Sequence, residues 1–276
     1  MALVGFVSLG LTSCVPPKNY VALGDSYSSG PLIPVQQTSP AGCMRSDHNY
    51  PHLVSPGLNV PQFRDVSCSG AETKDMTTSQ AVTPSPNPPP QFDALDANTA
   101  AVSLTIGGND IGFTNILADC FSGPCKAHYV SNGHDDISDR IAALNPKVAT
   151  LLQGIHSRAP GAKIFLLGYL DILPLSGVIS PACFGQLPIQ AADAPYLRDK
   201  EAELNAMLRT VSGANGATYV DTYPPTGSPA RDACQAPTVR WVEPLAAVNA
   251  YPVHPNAQGM QADAADLSAV MHRNGF

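Results

Sequence analysis

The chain has 276 residues, of which 15 are Lys or Arg and 22 are Asp or Glu, so its formal net charge is −7. Proteins that bind nucleic acid neutralise phosphates with clustered basic residues, and this balance argues against such a partner. With 44% hydrophobic and only 13% charged residues, the composition excludes a disordered chain and a coiled coil. A chain of this length buries a substantial core, in one large α/β domain or in two small ones.

The first residues are typical of an export segment. Residues 1–14 form an apolar run, shorter than the ~20 residues of a membrane-spanning helix but long enough for the core of a signal peptide. Leu11-Thr12-Ser13-Cys14 resembles a bacterial lipobox, in which the cysteine is lipidated and anchors the protein to the membrane. The alternative is a signal fragment with a free thiol, since no Lys or Arg precedes the run. We expect residues 1–18 to precede a single domain of residues 19–276.

The remaining cysteines are spread along the chain: Cys43, Cys68, Cys120, Cys125, Cys183 and Cys234. None of them forms a CxxC pair or has zinc-finger spacing with histidine, so we expect no metal site. In an acidic chain poor in Lys they favour three disulfide bonds, which form in an oxidising compartment. Many pairings are open, and the sequential one is the simplest. The alternative is a cytosolic protein with six unpaired, buried cysteines.

Strand and helix signals alternate along the chain. Short apolar runs that end at turns predict strands at residues 19–23, 63–68, 100–106, 163–167 and 217–220. Apolar residues at steps of three and four predict helices at 137–155, with a kink at Pro146, and at 197–211. A last helix is predicted from Pro255 to about Met271. This alternation predicts a three-layer α/β/α sandwich around a mostly parallel sheet of about five strands.

Polar residues beside glycine follow the first three predicted strands and begin the last helix; they are Gly24-Asp25-Ser26-Tyr27, Ser69-Gly70, Gly107–Asp110 and His254-Pro255-Asn256. In a parallel sheet, ligand sites form at these strand ends. The set contains a nucleophile in Ser26, a base in His254, and oxyanion donors in the N–H groups of Ser26 and Gly70 and the amide of Asn109. We expect Ser26 to lie at a helix N-terminus, which favours negative charge there. We also expect His254 to lie at a helix N-terminus, which opposes protonation of its imidazole.

Each of these residues alone is more often an ordinary turn glycine, helix cap or surface histidine, and it is their joint order that indicates catalysis. Asp25 and Asp110 are expected to brace the neighbouring turns. Asp135, Asp136 and Asp139 are typical of the acidic first turn of a helix, with a calcium site as the alternative.

These motifs resemble, in identity and order, those of the SGNH (GDSL-type) hydrolase superfamily. Its serine lies in a GDS motif after the first strand, its glycine after the second, its asparagine in GxND after the third, and its histidine near the C-terminus. The resemblance covers about residues 19–272 and implies the flavodoxin-like fold of that superfamily. It also implies Ser26 and His254 as catalytic residues, with Ser26, Gly70 and Asn109 as the oxyanion hole. The spaced cysteines resemble the secreted actinobacterial lipase, esterase and phospholipase branch, whose members carry three disulfide bonds.

One position departs from the common pattern. Many members have an aspartate three residues before the histidine, where this chain has Tyr251. Some members of the same branch use a backbone carbonyl there, and this implies a Ser-His dyad in which the Tyr251 carbonyl orients the imidazole. The alternative is a triad completed by a distant aspartate, with Asp221 as the candidate.

The sequence therefore predicts an extracytoplasmic serine ester hydrolase, secreted or held at the cell envelope, that works through an acyl-enzyme. No cofactor or metal is implied, and a monomer is expected to act on small-molecule or lipid esters. The preference for hydrophobic acyl esters rests on the resemblance to the lipase branch. The alternatives are a glycan or small-molecule deacetylase or esterase and, from another class, a non-catalytic lipid-anchored surface binding protein.

Overall fold

A parallel sheet forms the centre of the computed structural model, which describes residues 19–223 and 229–276. Its strands are β1 (Asn19–Ala22), β2 (Phe63–Asp65), β3 (Thr99–Leu104), β6 (Lys163–Leu167) and β7 (Thr218–Val220), in the order β2-β1-β3-β6-β7. All its pairings are parallel. Two short antiparallel strands lie outside it, β4 (Val130–Ser131) and β5 (His134–Asp135). The chain leaves β1 for β2 on one side and returns to β3 on the other, and such a reversal of strand order creates a crevice for ligands.

Helices cover both faces of the sheet. They are α1 (Ser26–Ser29), α2 (Tyr50–Val54), α3 (Phe113–Ser122), α4 (Lys126–Tyr129), α5 (Asp136–Arg158), α6 (Pro181–Phe184), α7 (Ala194–Ala214) and α8 (Ala257–Arg273). One apolar core joins α3, α5 and α7 to one face, and a second core joins α2 and α8 to the other. Alternate side chains of β6 serve the two cores, because Ile164 and Leu166 belong to the first and Phe165 and Leu167 to the second. The predicted three-layer α/β/α sandwich is confirmed.

Helix α5 is one continuous element of 23 residues, although Pro146 lies inside it. The residues predicted to face the core are all buried: Ile137, Ile141, Leu144, Val148, Leu151 and Ile155. A proline inside a helix costs ~3 kcal/mol, whereas each buried Leu or Ile contributes ~1.5–3 kcal/mol, so the apolar stripe on both sides of the proline keeps the helix intact.

The acidic residues at the start of α5 have protein partners. Asp135 accepts the N–H groups of Ile137 and Ser138 and forms an ion pair with Lys200 at 3.0 Å. Asp136 pairs with Arg140 one turn later. These contacts support the interpretation of this segment as a capped first helical turn.

Three disulfide bonds are present, Cys43–Cys68, Cys120–Cys125 and Cys183–Cys234, which is the sequential pairing expected from the sequence. The first ties the segment after α1 to the turn after β2. Cys14, the candidate lipidation site, lies outside the described residues. None of the helices within 19–223 and 229–276 has the length and apolar character needed to cross a membrane.

Asp171, in the segment after β6, has a buried carboxyl group that no hydrogen bond within residues 19–223 and 229–276 stabilises. It is 1% exposed, and neither of its oxygens has a hydrogen-bond partner among the described residues. Burial, assisted by the nearby charge of Asp232, raises the pKa of Asp171 to about 7. This pKa is higher in the folded chain than in the unfolded one. Ionisation of Asp171 therefore costs no stability below about pH 4, and it lowers the free energy of unfolding as the pH rises from there towards 7.

We predict that Asp171→Asn stabilises the protein in a pH-dependent manner. The neutral amide removes the penalty of ionising a buried group, so the gain in unfolding free energy should grow by about 1.4 kcal/mol per pH unit between pH 4 and pH 7. Denaturant unfolding at pH 4.5 and pH 8 measures it. The control is Asp221→Asn, which removes only an exposed pair with Arg209 and should cost ~0–1 kcal/mol. An Asp171→Asn effect of equal size at both pH values would contradict the prediction.

Candidate active site

Ser26 is the first residue of α1, directly after the tight turn that ends β1. Asp25 caps the helix, its carboxylate accepting the Tyr27 N–H at 2.9 Å. Gly24 has a φ of +122°, and a Cβ at this position would lie 2.5 Å from the Thr105 carbonyl oxygen, so only glycine fits. Gln91 holds the same turn, accepting the Gly24 N–H and donating to the Gly24 carbonyl. The position of the serine is therefore fixed by backbone packing and by a side chain distant in sequence.

The hydroxyl of Ser26 meets the imidazole of His254. The distance from Ser26 Oγ to His254 Nε2 is 2.8 Å, and that from His254 Nδ1 to the Pro252 carbonyl oxygen is also 2.8 Å. A carbonyl can only accept a hydrogen bond, so Nδ1 carries the proton and Nε2 accepts the Ser26 O–H. The structure thus brings together the nucleophile and base selected from the sequence, in the tautomer that proton transfer from serine requires.

The assignment of the orienting carbonyl to Tyr251 is wrong by one residue. The Tyr251 carbonyl accepts the backbone N–H of His254 at 3.2 Å, and the Pro252 carbonyl accepts the imidazole Nδ1–H. The reason is the left-handed conformation of Val253, whose φ of +60° turns the chain back between Pro252 and His254. A β-branched residue rarely adopts this conformation, and the sequence carries no signal for it.

The imidazole of His254 has no carboxylate partner within the described part of the chain. Asp221, the alternative candidate for a triad, pairs with Arg209 at 2.6 Å on the surface. Burial lowers the pKa of His254 to about 4, against the opposing effect of the Pro252 carbonyl. The expected helix N-terminus is not the cause, because the cap of α8 is Asn256, two residues further on. The imidazole is neutral at pH 7 because it is desolvated.

The segment that carries His254 is clamped by a buried ion pair. Glu243 exchanges two backbone hydrogen bonds with this segment, donating to the His254 carbonyl at 2.9 Å and accepting the Val253 N–H at 3.1 Å. Its carboxylate pairs with Arg240 at 2.6 Å and accepts the side-chain amide of Asn256 at 3.0 Å. Both charged side chains are almost completely buried. Nothing in the sequence pattern singled out these residues, because their role depends on a contact between two irregular segments.

Three hydrogen-bond donors lie at the ends of β1, β2 and β3. The N–H groups of Ser26 and Gly70 have no acceptor among residues 19–223 and 229–276. Asn109 donates one amide hydrogen to the Ala71 carbonyl at 2.9 Å, which fixes it beside the Gly70 turn and leaves its second hydrogen for a ligand. Because α1 is a single turn, few peptide dipoles add up at Ser26, and the helix dipole expected there contributes little.

Tyr169, which the sequence analysis missed, joins two of these strand ends. Its hydroxyl donates to Asp25 at 2.6 Å and accepts the Gly108 N–H at 2.7 Å. Asp110 in turn accepts the N–H and the hydroxyl of Thr73, which links the turn after β3 to the segment after β2. Asp25 and Asp110 therefore brace turns, as expected. The one available signal for Tyr169 was its place just after a fourth strand, at the same edge of the sheet.

An apolar groove of about 260 Å³ lies beside His254. One wall is formed by α3, through residues that include Leu117 and Phe121, and the other by Leu245 and Tyr251. Leu245 and Tyr251 are about two-fifths exposed, at 41% and 42%. The imidazole of His254 therefore opens onto an apolar surface, which suits an apolar ligand.

Comparison with known proteins agrees with this geometry. The model of the GDSL-like lipase/acylhydrolase family matches residues 22–262. Lipase 2 of Streptomyces coelicolor is 40% identical over an alignment of 281 positions. The alignment covers 94% of this chain and 90% of that protein. The crystal structure of the extracellular lipase of Streptomyces rimosus has a TM-score of 0.71 at 25% identity, covering 91% of this chain and 99% of the other.

A fourth comparison shows the fold alone: phospholipase A1 from Streptomyces albidoflavus has a TM-score of 0.72 at 23% identity, covering 92% of this chain and 99% of the other. The family model spans most of the chain, and the S. coelicolor relative aligns along nearly all of it. The chain therefore belongs to the GDSL-like lipase and acylhydrolase family and is a carboxylic ester hydrolase.

Proposed function

We propose that this hydrolase works through a Ser26–His254 dyad and an acyl-enzyme. His254 Nε2 takes the hydroxyl proton as Ser26 Oγ attacks the ester carbonyl carbon, and the carbonyl oxygen becomes an oxyanion. The tetrahedral intermediate collapses, and the alcohol leaves with the proton from His254. Water, deprotonated by His254, then hydrolyses the acyl-enzyme and restores Ser26. The observation that carries this proposal is the 2.8 Å contact between Ser26 Oγ and His254 Nε2, with Nδ1 held by a carbonyl.

The developing oxyanion is assigned to the N–H groups of Ser26 and Gly70 and to the second amide hydrogen of Asn109. Donors of this kind act by being oriented before the reaction, and one of them is worth ~10²–10³ in turnover. The bonds from Asn109 to Ala71 and from Tyr169 to Asp25 support this role, because they fix the donors without consuming them.

The absence of a carboxylate from the dyad determines how basic the His254 imidazole is. The Pro252 carbonyl fixes the imidazole tautomer but carries no full charge, so it stabilises the imidazolium less than a carboxylate does. With a pKa of about 4, His254 is fully available as a base at neutral pH but is a weaker base than an ordinary imidazole. We therefore expect activity to persist well below the pH at which a free histidine is protonated.

The substrate class that we propose is esters with hydrophobic acyl groups, such as those of lipids. The apolar groove beside His254 supports it, since binding of a sugar requires polar groups along the walls. The similarity to proteins named as lipases supports it as well. No feature of the described residues favours a glycan deacetylase or a binding protein without turnover.

We also propose an extracytoplasmic location. Three disulfide bonds and the similarity to an extracellular lipase support it. Lipidation at Cys14 and the monomeric state stay predictions from the sequence.

The assignment of the nucleophile is tested by covalent labelling. A fluorophosphonate should modify Ser26, because it is the serine paired with a base, and Ser26→Ala should abolish both labelling and hydrolysis of 4-nitrophenyl butyrate. The matched control is Ser29→Ala on the same helix, whose hydroxyl is buried without a partner and should be dispensable. Peptide mapping by mass spectrometry and an ester assay measure the two effects. Labelling of another serine would overturn the assignment.

Tyr251 separates the dyad from a carboxylate triad. Its ring packs edge-on against the imidazole, with 5.3 Å between the two ring centroids. Its hydroxyl has no hydrogen-bond partner among the described residues, so Tyr251→Phe should retain activity within about twofold. Tyr251→Asp places a carboxylate near the ring, and should raise the pKa of His254 and move the acid limb of kcat/KM upwards by ~1 pH unit or more. The pH dependence of kcat/KM for both variants checks this. A tenfold loss in Tyr251→Phe would show instead that the phenol takes part.

A further inference from the structure

Five large apolar side chains are exposed to solvent at the mouth of the groove, and they are called the rim here. They belong to three segments that contain no Lys, Arg, Asp, Glu or His: residues 26–44, 172–192 and 244–253. The rim consists of Leu32, Phe184, Leu245, Val248 and Tyr251, with exposed fractions between 41% and 77%. Protein surfaces normally intersperse charged residues of both signs, so an exposed apolar patch of this kind indicates an interaction site.

Backbone hydrogen bonds hold the three segments side by side. Tyr251 donates its N–H at 2.9 Å to the carbonyl that precedes Leu32. Leu245 donates its N–H at 3.1 Å to the carbonyl of Gln186, two residues after Phe184. Leu245 and Tyr251 also form one wall of the groove, so the rim is continuous with the groove itself.

The segment 244–253 presents its apolar side chains on a fixed backbone. The N–H of Val248 donates to the Glu243 carboxylate at 3.2 Å, and that carboxylate pairs with Arg240 in the interior. These two charged groups are therefore turned inwards, whereas Val248 is the most exposed member of the rim. Exposure of the apolar side chains thus does not result from a lack of backbone contacts.

Leu32 has a backbone conformation that disfavours leucine. Its φ is +62°, in the left-handed region that glycine and asparagine adopt more easily. Its side chain is half-exposed, so it gains little from burial within the protein. Strained positions of this kind are often part of a functional site, and here the feature that the strain preserves is an apolar side chain in solvent.

The size and charge of the rim favour a lipid surface as its partner. Its five side chains expose roughly 400 Å², about half of what each partner buries in a stable protein interface. A lipid surface needs no matching shape and takes up apolar side chains one by one. Anionic lipids are recognised by Lys and Arg, which the three segments lack, and the chain has a net charge of −7.

We propose that the rim docks the enzyme on a lipid surface without net charge, with the mouth of the groove facing the lipid. This inference rests on the proposed preference for hydrophobic esters. Because the rim is continuous with the groove beside His254, an ester can pass from the lipid into the groove with little exposure of its apolar chains to water.

The test is binding to phosphatidylcholine vesicles, measured by co-sedimentation. Every protein carries Cys14→Ser, which removes the candidate lipid anchor, and Ser26→Ala, which prevents turnover. Leu32→Asn and Val248→Asn should each lower the partition coefficient about three- to tenfold, since each replaces an apolar side chain that enters the lipid. The matched control is Leu53→Asn on α2, an exposed leucine outside the rim, which should leave binding unchanged.

Two further measurements separate docking from folding and from catalysis. Leu32→Asn should not lower the temperature of thermal unfolding, because asparagine adopts the left-handed conformation more easily than leucine. In proteins that retain Ser26, the rate on 4-nitrophenyl hexadecanoate in vesicles is divided by the rate on dissolved 4-nitrophenyl butyrate. This ratio should fall in Leu32→Asn and Val248→Asn by about the same factor as vesicle binding.

The outcomes are separable. Equal vesicle binding by the rim variants and by Leu53→Asn would overturn the inference, and hydrolysis of 4-nitrophenyl butyrate would then leave the proposed function standing. Failure to hydrolyse any ester would refute the proposed function, whatever the vesicles show. Tighter binding to phosphatidylglycerol than to phosphatidylcholine would contradict docking on an uncharged surface. A dimer in sedimentation velocity that Val248→Asn dissociates, without vesicle binding, would assign the rim to a second copy of the chain and overturn the inference.

Discussion

The hydrogen bond from His254 Nδ1 to the Pro252 carbonyl is the contact on which the rest of the site depends. It places the proton on Nδ1, directs the unprotonated Nε2 at Ser26, and does so without bringing a second charge into a buried place. A buried carboxylate at this position would itself need compensation, as the raised pKa of Asp171 shows elsewhere in the chain. The consequence is an imidazole that is neutral at all but acidic pH.

This contact requires an unusual backbone, and the surrounding structure maintains it. The left-handed Val253 is held from two sides, by the backbone of Glu243 and by the Tyr27 hydroxyl, which donates to the Val253 carbonyl at 3.0 Å. Conformations of this kind persist only where neighbouring contacts over-determine them. Tyr27 follows Ser26 in sequence, so one side chain links the serine turn to the histidine segment.

The sequence was sufficient for the parts of the molecule that rest on local patterns. The five strands follow from short apolar runs that end at turns, and the two longest helices from apolar residues at steps of three and four. The motifs around Ser26, Gly70, Asn109 and His254 indicated residues at one edge of the sheet. Contacts between irregular segments left no such pattern. Tyr169, the pairing of Arg240 with Glu243 and the φ of Val253 are examples. The error at Tyr251 has the same origin, since the Pro252 carbonyl reaches the ring across the left-handed Val253, a conformation that the sequence did not indicate.

The most direct test of the central claim is an NMR titration of the imidazole nitrogens of His254 in protein labelled with ¹⁵N-histidine. We predict a neutral ring with the proton on Nδ1 down to about pH 5, and protonation with a pKa of about 4. A pKa at or above the ordinary histidine value of ~6.5 would show that a carboxylate contacts the ring and would contradict the dyad. A neutral ring protonated on Nε2 would contradict the contact with Pro252.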